Sequence, residues 1–231
     1  MTPPPIGFTL PIVENFHSIQ GEGSHAGRSA YFIRLASCKV GCPWCDTKES
    51  WSSRSYPLET VDNLAQKVYK AHLNGAGFLV ITGGEPLHHN LNPLCIAIKN
   101  LTSSIDGTPI RIHLETSGVD EITGSYDWIT LSPKRHMPPK NEILKACNEI
   151  KVIVHKKEDL LFAEEMAQLS ISQKKGGFNS KDYTSSSILE PILYLQPGWN
   201  HKEGQELAID YVQKHPKWRL SLQTHKWLKI E

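Results

Sequence analysis

Short apolar runs rich in β-branched residues alternate with stretches of helical periodicity along most of the 231-residue chain. This alternation is typical of βα units that build a largely parallel sheet. The predicted strands are Tyr31–Leu35, Phe78–Ile81, Ile110–Leu114, Trp128–Leu131, Ile150–Val154, Ile192–Gln196 and Arg219–Leu222. The expected fold class is therefore α/β.

Helices are predicted between these strands. The clearest one follows Thr60, a candidate N-cap, and ends before Gly75, with apolar residues recurring at helical spacing between them. Further helices are predicted at Asn92–Leu101, Asn141–Cys147, Glu158–Leu169 and Gly204–His215. The polar, Gly- and Ser-rich segment from Gln173 to Ser187 is predicted to be a surface loop, not a domain boundary. We expect one domain spanning residues 1–231.

The composition excludes several classes of protein. The chain has 25 Lys and Arg residues against 24 Asp and Glu residues, so its net charge is +1. So small a net charge produces no overall electrostatic attraction to nucleic acid or anionic membranes. The beginning of the chain lacks the pattern of a signal peptide, and no apolar run reaches the roughly 18 residues that span a bilayer. We therefore expect a cytoplasmic protein with no nucleic-acid or membrane partner.

Three of the five cysteines, Cys38, Cys42 and Cys45, fall within eight residues, here called the cysteine loop (residues 38–45). The other two stand alone, so a disulfide framework is a poor interpretation and a thiolate-bound metal in a reducing compartment is a better one. A structural zinc site needs four ligands, and a fourth would have to come from Cys95, His17 or a more distant histidine. A [4Fe-4S] cluster held by three cysteines leaves one iron open to a substrate or cofactor.

Parallel sheets place their chemistry at the carboxyl ends of strands, and several predicted strands end in polar or glycine-rich turns. One strand runs into Gly83-Gly84-Glu85-Pro86, here called the glycine turn. Glycine tolerates positive φ and lets a ligand approach the backbone. Three more strands are followed by Glu115–Gly118, Ser132–Lys134 and Gln196–Trp199. Each could be turn chemistry alone, but together they are expected to line one mouth.

The C-x3-C-x2-C spacing, with Trp44 before the last cysteine and the glycine turn one βα unit later, resembles the radical S-adenosylmethionine (SAM) superfamily. The resemblance implies an incomplete, modified (β/α) barrel with the active site at the carboxyl-end mouth. It also implies a [4Fe-4S] cluster on Cys38, Cys42 and Cys45. SAM would chelate the open iron and yield a 5′-deoxyadenosyl radical after reduction.

Flanking motifs resemble one family within that superfamily, the 7-carboxy-7-deazaguanine synthases. They are Phe16–Gly23, Tyr31–Leu35, Cys45–Thr47 and Arg219–Glu231. That family contracts 6-carboxy-5,6,7,8-tetrahydropterin to 7-carboxy-7-deazaguanine with loss of ammonia, in queuosine and 7-deazapurine biosynthesis. The resemblance further implies Mg²⁺, a homodimer, and an electron donor such as flavodoxin or ferredoxin.

The family pattern, carried over to this chain, assigns roles to individual residues. Thr47 would be the protein ligand of Mg²⁺. The substrate contacts would be Ile19, Gln20, Gly21, Glu22, Arg34, Thr82, His225 and Glu231. The SAM contacts would be Trp44, Cys45, Asp46, Gly83, Gly84, Glu85, Ser117, Ser132, Pro133, Lys134, Gln196, Pro197, Gly198 and Trp199.

One departure from the family pattern concerns the C-terminal segment. The family often has Gly before the final Ile, where this chain has Lys229. In some members the last carboxylate reaches the substrate, a role that would fall to Glu231.

Two other functions share part of the pattern. A radical SAM activase of a glycyl-radical enzyme has the same kind of cysteine loop and glycine turn, but it has no use for Gln20, Glu22 or Arg34 as pterin contacts. A non-catalytic zinc or iron-sulfur binding module is the alternative outside enzymes. Iron content and colour after anaerobic purification distinguish this module from an enzyme, since zinc and no brown colour would favour the module.

Overall fold

A computed structural model describes residues 7–175 and 190–231. Nine strands are found in these residues. They are β1 (Thr9–Ile19), β2 (Ser29–Leu35), β3 (Leu58–Thr60), β4 (Phe78–Gly83), β5 (Arg111–Thr116), β6 (Trp128–Leu131), β7 (Glu149–Val154), β8 (Ile192–Pro197) and β9 (Trp218–Leu220). They form one sheet in the order β3-β1-β2-β4-β5-β6-β7-β8-β9.

The sheet is largely parallel and open. Every pair from β2 to β9 is parallel, whereas β1 runs antiparallel to both β2 and β3. The two outer strands in the order, β3 and β9, do not pair with each other among the described residues. The predicted α/β class and the unclosed, modified barrel are confirmed.

The helices are α1 (Val61–Leu73), α2 (Asn92–Asp106), α3 (Asn141–Ala146), α4 (Lys157–Lys175), α5 (Lys202–Lys214) and α6 (Thr224–Leu228). The predicted N-cap of α1 is confirmed, because the Thr60 hydroxyl accepts a 3.3 Å hydrogen bond from the Asn63 amide. Helix α2 runs beyond Leu101 to a left-handed Gly107. The predicted loop from Gln173 was wrong at its start, since α4 continues through Lys175; residues 176–187 lie outside the described residues.

The main core lies between the sheet and its helices. Leu64 and Val68 of α1, Leu94 of α2 and Ile81 of β4 are fully buried there. A smaller cluster on the opposite face of the sheet includes Phe16 and Phe32, whose rings stack at 5.1 Å. The helices thus cover one face of the sheet, and the other face lines the interior of the open barrel.

Strands β1 and β3 and helix α6 were missed by the sequence analysis. Strand β1 contains Pro11, Glu14 and His17, which interrupt the apolar pattern. It is antiparallel to its neighbours, and β3 pairs only with its first residues, Thr9–Pro11. Strand β9 ends two residues before the predicted Leu222. Within residues 7–175 and 190–231, no helix has both the length and the apolar character needed to cross a membrane.

Candidate active site

The carboxyl ends of the parallel strands surround one cavity of about 850 Å³. It lies where the sequence analysis expected the mouth of the barrel. Every predicted site residue lines this cavity except Pro133 and Pro197. Residues separated by up to about 200 positions in the sequence therefore meet in one place.

The cysteine loop follows β2 at one side of the cavity. Cys38, Cys42 and Cys45 all line it, and the Cys45 amide donates a 3.0 Å hydrogen bond to the Cys42 carbonyl. Burial raises the pKa of the Cys38 and Cys42 thiols. In the described part of the chain, no three His, Cys, Asp or Glu side chains converge as ligands of a single ion. The three thiols fit a [4Fe-4S] cluster, because each would bind a different iron.

The glycine turn packs directly on the backbone that leads into the cysteine loop. A Cβ on Gly83 would lie 2.2 Å from the Leu35 carbonyl oxygen, and a Cβ on Gly84 would lie 2.3 Å from the Ser37 carbonyl oxygen. The Gly84 amide donates to Leu35, and the Glu85 amide donates to Ser37. Glycine is required here for contact between two protein segments as well as for any approach by a ligand.

Glu85 is the acidic residue of the glycine turn, and its side chain is only 1% exposed. Its carboxylate accepts hydrogen bonds from the Thr116 hydroxyl, from the amide and hydroxyl of Ser117, and from the Leu87 amide. The three bonds from Thr116 and Ser117 join the ends of β4 and β5, and the bond from Leu87 stays within the turn. The carboxylate therefore holds the turn in shape.

Arg34 and Thr82 occupy neighbouring positions on β2 and β4 at the edge of the cavity. The Arg34 Nε donates a 2.6 Å hydrogen bond to Glu14 on β1. Arginine has five N–H donors, so this ion pair leaves others for a bound carboxylate. Across the cavity, a Cβ on Gly21 would lie 2.3 Å from the His225 Nδ1, so only glycine allows this approach.

A network of charged and amide groups lies at one side of the cavity. The Lys151 ammonium pairs with Glu22 and lies 3.7 Å from a Glu115 oxygen. Gln20 donates to Glu115 at 2.9 Å, and Gln223 donates to Glu22 at 3.1 Å. Burial opposes both charges, but mutual attraction outweighs it: the pKa of Glu22 is lowered and that of Lys151 is raised. Glu22 is thus held as a carboxylate and Lys151 as an ammonium.

Lys134 lies at the mouth beside the cysteine loop. Its ammonium donates to the carbonyl and the hydroxyl of Ser132, at 2.9 and 2.8 Å. Burial lowers the pKa of Lys134, and the nearby Cys42 only partly offsets this effect. The predicted pair Ser132 and Lys134 is therefore a connected unit.

Aromatic side chains and helix α6 form the outer rim of the cavity. Trp44 faces His155 at 5.5 Å between ring centres. Lys226 of α6 forms a 2.5 Å ion pair with Asp46 and lies 5.4 Å from the centre of the Trp199 ring. This helix therefore ties the C-terminal segment to the cysteine loop.

The C-terminal segment continues past α6 into the cavity. Lys229 adopts left-handed backbone, with φ 55° and ψ 42°. This conformation explains why glycine suits the position. The chain then turns so that Glu231 lines the cavity and its main-chain oxygen accepts a 2.7 Å hydrogen bond from Ser18.

Glu115 follows a strand end that was predicted to line the mouth, but four other polar residues of the cavity were given no role from the sequence: Lys151, His155, Gln223 and Lys226. Lys151 had a usable signal, because a lysine within an apolar central strand is buried only when it is paired. The others come from strand ends or from α6, where composition carries little information. Their partners are distant in the sequence, so only the fold brings them together.

Comparison with known proteins agrees with this site. Residues 33–132 match the radical SAM superfamily. A 7-carboxy-7-deazaguanine synthase of Prochlorococcus marinus is 61% identical over 221 residues, which cover 96% of this chain and 98% of that protein. This chain belongs to the 7-carboxy-7-deazaguanine synthase family.

More distant members of the 7-carboxy-7-deazaguanine synthase family agree along the same length. The synthase of Escherichia coli (strain K12) is 31% identical over 242 residues, covering 95% of this chain and 98% of that protein. The crystal structure of QueE from Escherichia coli superposes with a TM-score of 0.71 at 29% identity, covering 93% of each chain. The chain is a radical SAM enzyme, and its superfamily implies a [4Fe-4S] cluster and SAM.

Proposed function

We propose that this chain converts 6-carboxy-5,6,7,8-tetrahydropterin to 7-carboxy-7-deazaguanine and ammonia. The observation that carries the proposal is the single cavity in which the cysteine loop, the glycine turn and the predicted pterin contacts meet. The proposal treats residues 1–231 as one radical SAM domain, and the continuous sheet supports this view.

The chain's part in the chemistry is to position the reacting groups. Cys38, Cys42 and Cys45 would hold a [4Fe-4S] cluster, which with SAM would supply the radical chemistry for hydrogen abstraction at C6 of the pterin. The SAM contacts would come from Trp44–Asp46, the glycine turn, Ser117, Ser132–Lys134 and Gln196–Trp199. Fixed geometry of this kind supplies much of the rate acceleration in such a cavity.

The carboxylate of the pterin would bind Arg34. A guanidinium offers two parallel N–H donors to a carboxylate, and the Arg34 donors not used by Glu14 serve this purpose. Thr82 lies beside Arg34 in the paired strands and would contact the same end of the substrate. Glu231 would reach the substrate from the C-terminal segment.

The ring end of the pterin would meet the Ile19–Glu22 segment and His225. Glu22 is held as a carboxylate, so it is an acceptor for the N–H groups of an aminopyrimidine ring. Burial lowers the pKa of His225, which favours a neutral imidazole beside Gly21. These groups fix the orientation of the ring and keep C6 directed toward the SAM side.

Thr47 would hold Mg²⁺ through its hydroxyl. The Thr47 hydroxyl lies 3.7 Å from the Cys45 sulfur and, among the described residues, makes no capping hydrogen bond to the turn that follows it. Mg²⁺ keeps several waters and takes few protein ligands, so a single hydroxyl with substrate oxygens suits it. The donor set at this position fits the ion.

We also propose a homodimer, reduction by a flavodoxin or ferredoxin, and a cytoplasmic location. All five cysteines lie in the described residues and are free thiols, which suits a reducing compartment. The near-neutral charge supports small-molecule chemistry without a nucleic-acid partner.

The test is an anaerobic reaction of reconstituted protein with SAM, dithionite, Mg²⁺ and the carboxytetrahydropterin, followed by mass spectrometry. Appearance of 7-carboxy-7-deazaguanine is the expected result. If SAM is cleaved while the pterin survives, the substrate assignment is wrong. Zinc in the protein and no reaction would favour the binding module.

A further inference from the structure

Three histidines outside the cavity hold the main chain around the first cysteine of the cysteine loop. His89 Nε2 lies 2.8 Å from the Ala36 carbonyl oxygen, and His136 Nε2 lies 2.8 Å from the Val40 carbonyl oxygen. The Lys39 amide lies 3.0 Å from His88 Nε2. The backbone on both sides of Cys38 is thus bonded to imidazole rings.

The contact made by His88 differs in kind from the other two. The Lys39 amide is a donor, so His88 Nε2 must accept, and its Nδ1 must then carry the hydrogen. That Nδ1–H faces a carboxylate oxygen of Asp120, with which it forms a short hydrogen bond. Asp120 therefore selects the tautomer in which Nε2 is the acceptor.

The position of His88 is itself fixed. His88 ends a short 3-10 turn, Pro86–His88, which directly follows the glycine turn. The His88 amide bonds to the Glu85 carbonyl at 3.1 Å, and the Glu85 carboxylate caps the same turn. The bonds from Leu87, Thr116 and Ser117 that fix Glu85 therefore also fix the position of His88.

We infer that His88, oriented by Asp120, is a positioning residue for Cys38, the first ligand of the [4Fe-4S] cluster. The inference rests on the proposed function, which assigns the cluster to the three cysteines. His88 would not touch the cluster. It accepts a hydrogen bond from the amide of Lys39, the residue that directly follows the ligand Cys38. Partners one shell away from metal ligands commonly set ligand orientation and affinity in this way.

Loss of the acceptor has two measurable effects. The backbone next to Cys38 loses one of its hydrogen bonds and is held less firmly. Cluster iron should therefore be released to a chelator about tenfold faster. The freed Lys39 N–H can also turn to a cluster or cysteine sulfur. A donor at sulfur stabilises the more negative, reduced cluster, so the reduction potential should shift upward.

The experiment compares reconstituted protein with His88→Leu and His88→Gln. Leucine removes the acceptor, whereas the glutamine side-chain oxygen can still accept from the Lys39 amide. His72→Leu is the matched control, because His72 in helix α1 is also half-buried and also bonded to the main chain, in its case to the Ala76 carbonyl and far from the cysteine loop in the sequence. The readouts are iron release to a chelator, the cluster potential from a redox titration, and thermal unfolding of the apoprotein.

Faster iron release and a raised potential in His88→Leu, with wild-type behaviour of His88→Gln and His72→Leu, would support the inference. Wild-type release and potential in His88→Leu would overturn it. If the His88→Leu apoprotein does not fold, Asp120→Ala tests the inference instead, because it removes the group that selects the accepting tautomer of His88: faster iron release would support the inference and wild-type release would overturn it. Asp120 is 39% exposed, so its removal leaves no core defect. Cys38→Ala tests the proposed function separately: full iron content there would refute the cluster assignment itself.

Discussion

Lys151 and Glu22 form an ion pair at the side of the cavity although 129 positions separate them in the sequence. Lys151 stands on the interior strand β7, and Glu22 belongs to the turn after β1. Both side chains are almost completely buried. Pairing therefore decides whether either charge is tolerated.

Lys151→Met should lower the free energy of unfolding by about 3–5 kcal/mol, because it leaves a buried carboxylate without its partner. Urea unfolding of the apoprotein measures the change. Lys202→Met is the control, since the Lys202 side chain is 90% exposed. A loss as small as that of the control would show that the hydrogen bond from Gln223 is enough to hold the Glu22 carboxylate.

Glu22 should make stability depend on pH in the acid range. Its pKa in the folded state is lowered from the ordinary value of 4.5, so its contribution is present above 4.5 and is lost as the pH falls through the folded-state value. Unfolding experiments from neutral pH downward should show the gap between wild type and Glu22→Gln narrowing below 4.5. Glu206→Gln, at a 68% exposed position, should show no comparable change in the gap.

Thr47→Ala should abolish the stimulation of turnover by Mg²⁺ and leave the iron content unchanged. The hydroxyl is the atom proposed to bind the ion, and alanine removes it. Thr47→Ser keeps a hydroxyl and should retain the stimulation. Unaltered Mg²⁺ dependence in the alanine variant would refute the assignment.

Gly84→Ala should disrupt the cysteine loop. The new Cβ would lie 2.3 Å from the Ser37 carbonyl oxygen and 3.0 Å from the Cys38 Cβ, so the backbone before Cys38 must move. Less iron per chain after reconstitution is the expected result. Gly77→Ala is the control, because its Cβ would make an ordinary 3.4 Å contact; equal iron in both variants would contradict the argument.

Lys229→Gly should stabilise the turn after α6 by about 1 kcal/mol, because a side chain in the left-handed region is strained and glycine is not. Hydrogen exchange at the Ile230 amide, which bonds to the His225 carbonyl, reports this turn directly. Exchange should slow about fivefold, since 1 kcal/mol corresponds to that factor. Lys229→Ala keeps the Cβ and should not slow it.

The sequence predicted those parts of the fold that depend on local pattern. The strand Trp128–Leu131 was predicted with its observed bounds, and the N-cap Thr60 was identified from its spacing to the apolar residues of α1. Strand β1 was missed because its pairing is antiparallel and its composition mixed. Helix α6 was missed because five residues carry too little periodicity to be recognised.

The site was predicted by motif wherever the motif is contiguous in the sequence. The cysteine loop and the glycine turn are of this kind, and the cavity brings them together as expected. Lys151 and His155 have no such motif. Their place in the site depends on which strands become neighbours, and that information is distributed over the whole chain.

The contacts that complete the cavity close very long loops. Thr224 bonds to Gly21 across 203 positions, Gln223 to Glu22 across 201, and Lys226 to Asp46 across 180. We expect such contacts to form later than those that close shorter loops, because more loop-closure entropy must be met before they contribute. The cysteine loop and the glycine turn are joined by much shorter loops, so they can be in place while the rim formed by α6 is still open. We therefore expect a stage of folding at which a cluster can enter before α6 closes the cavity over it.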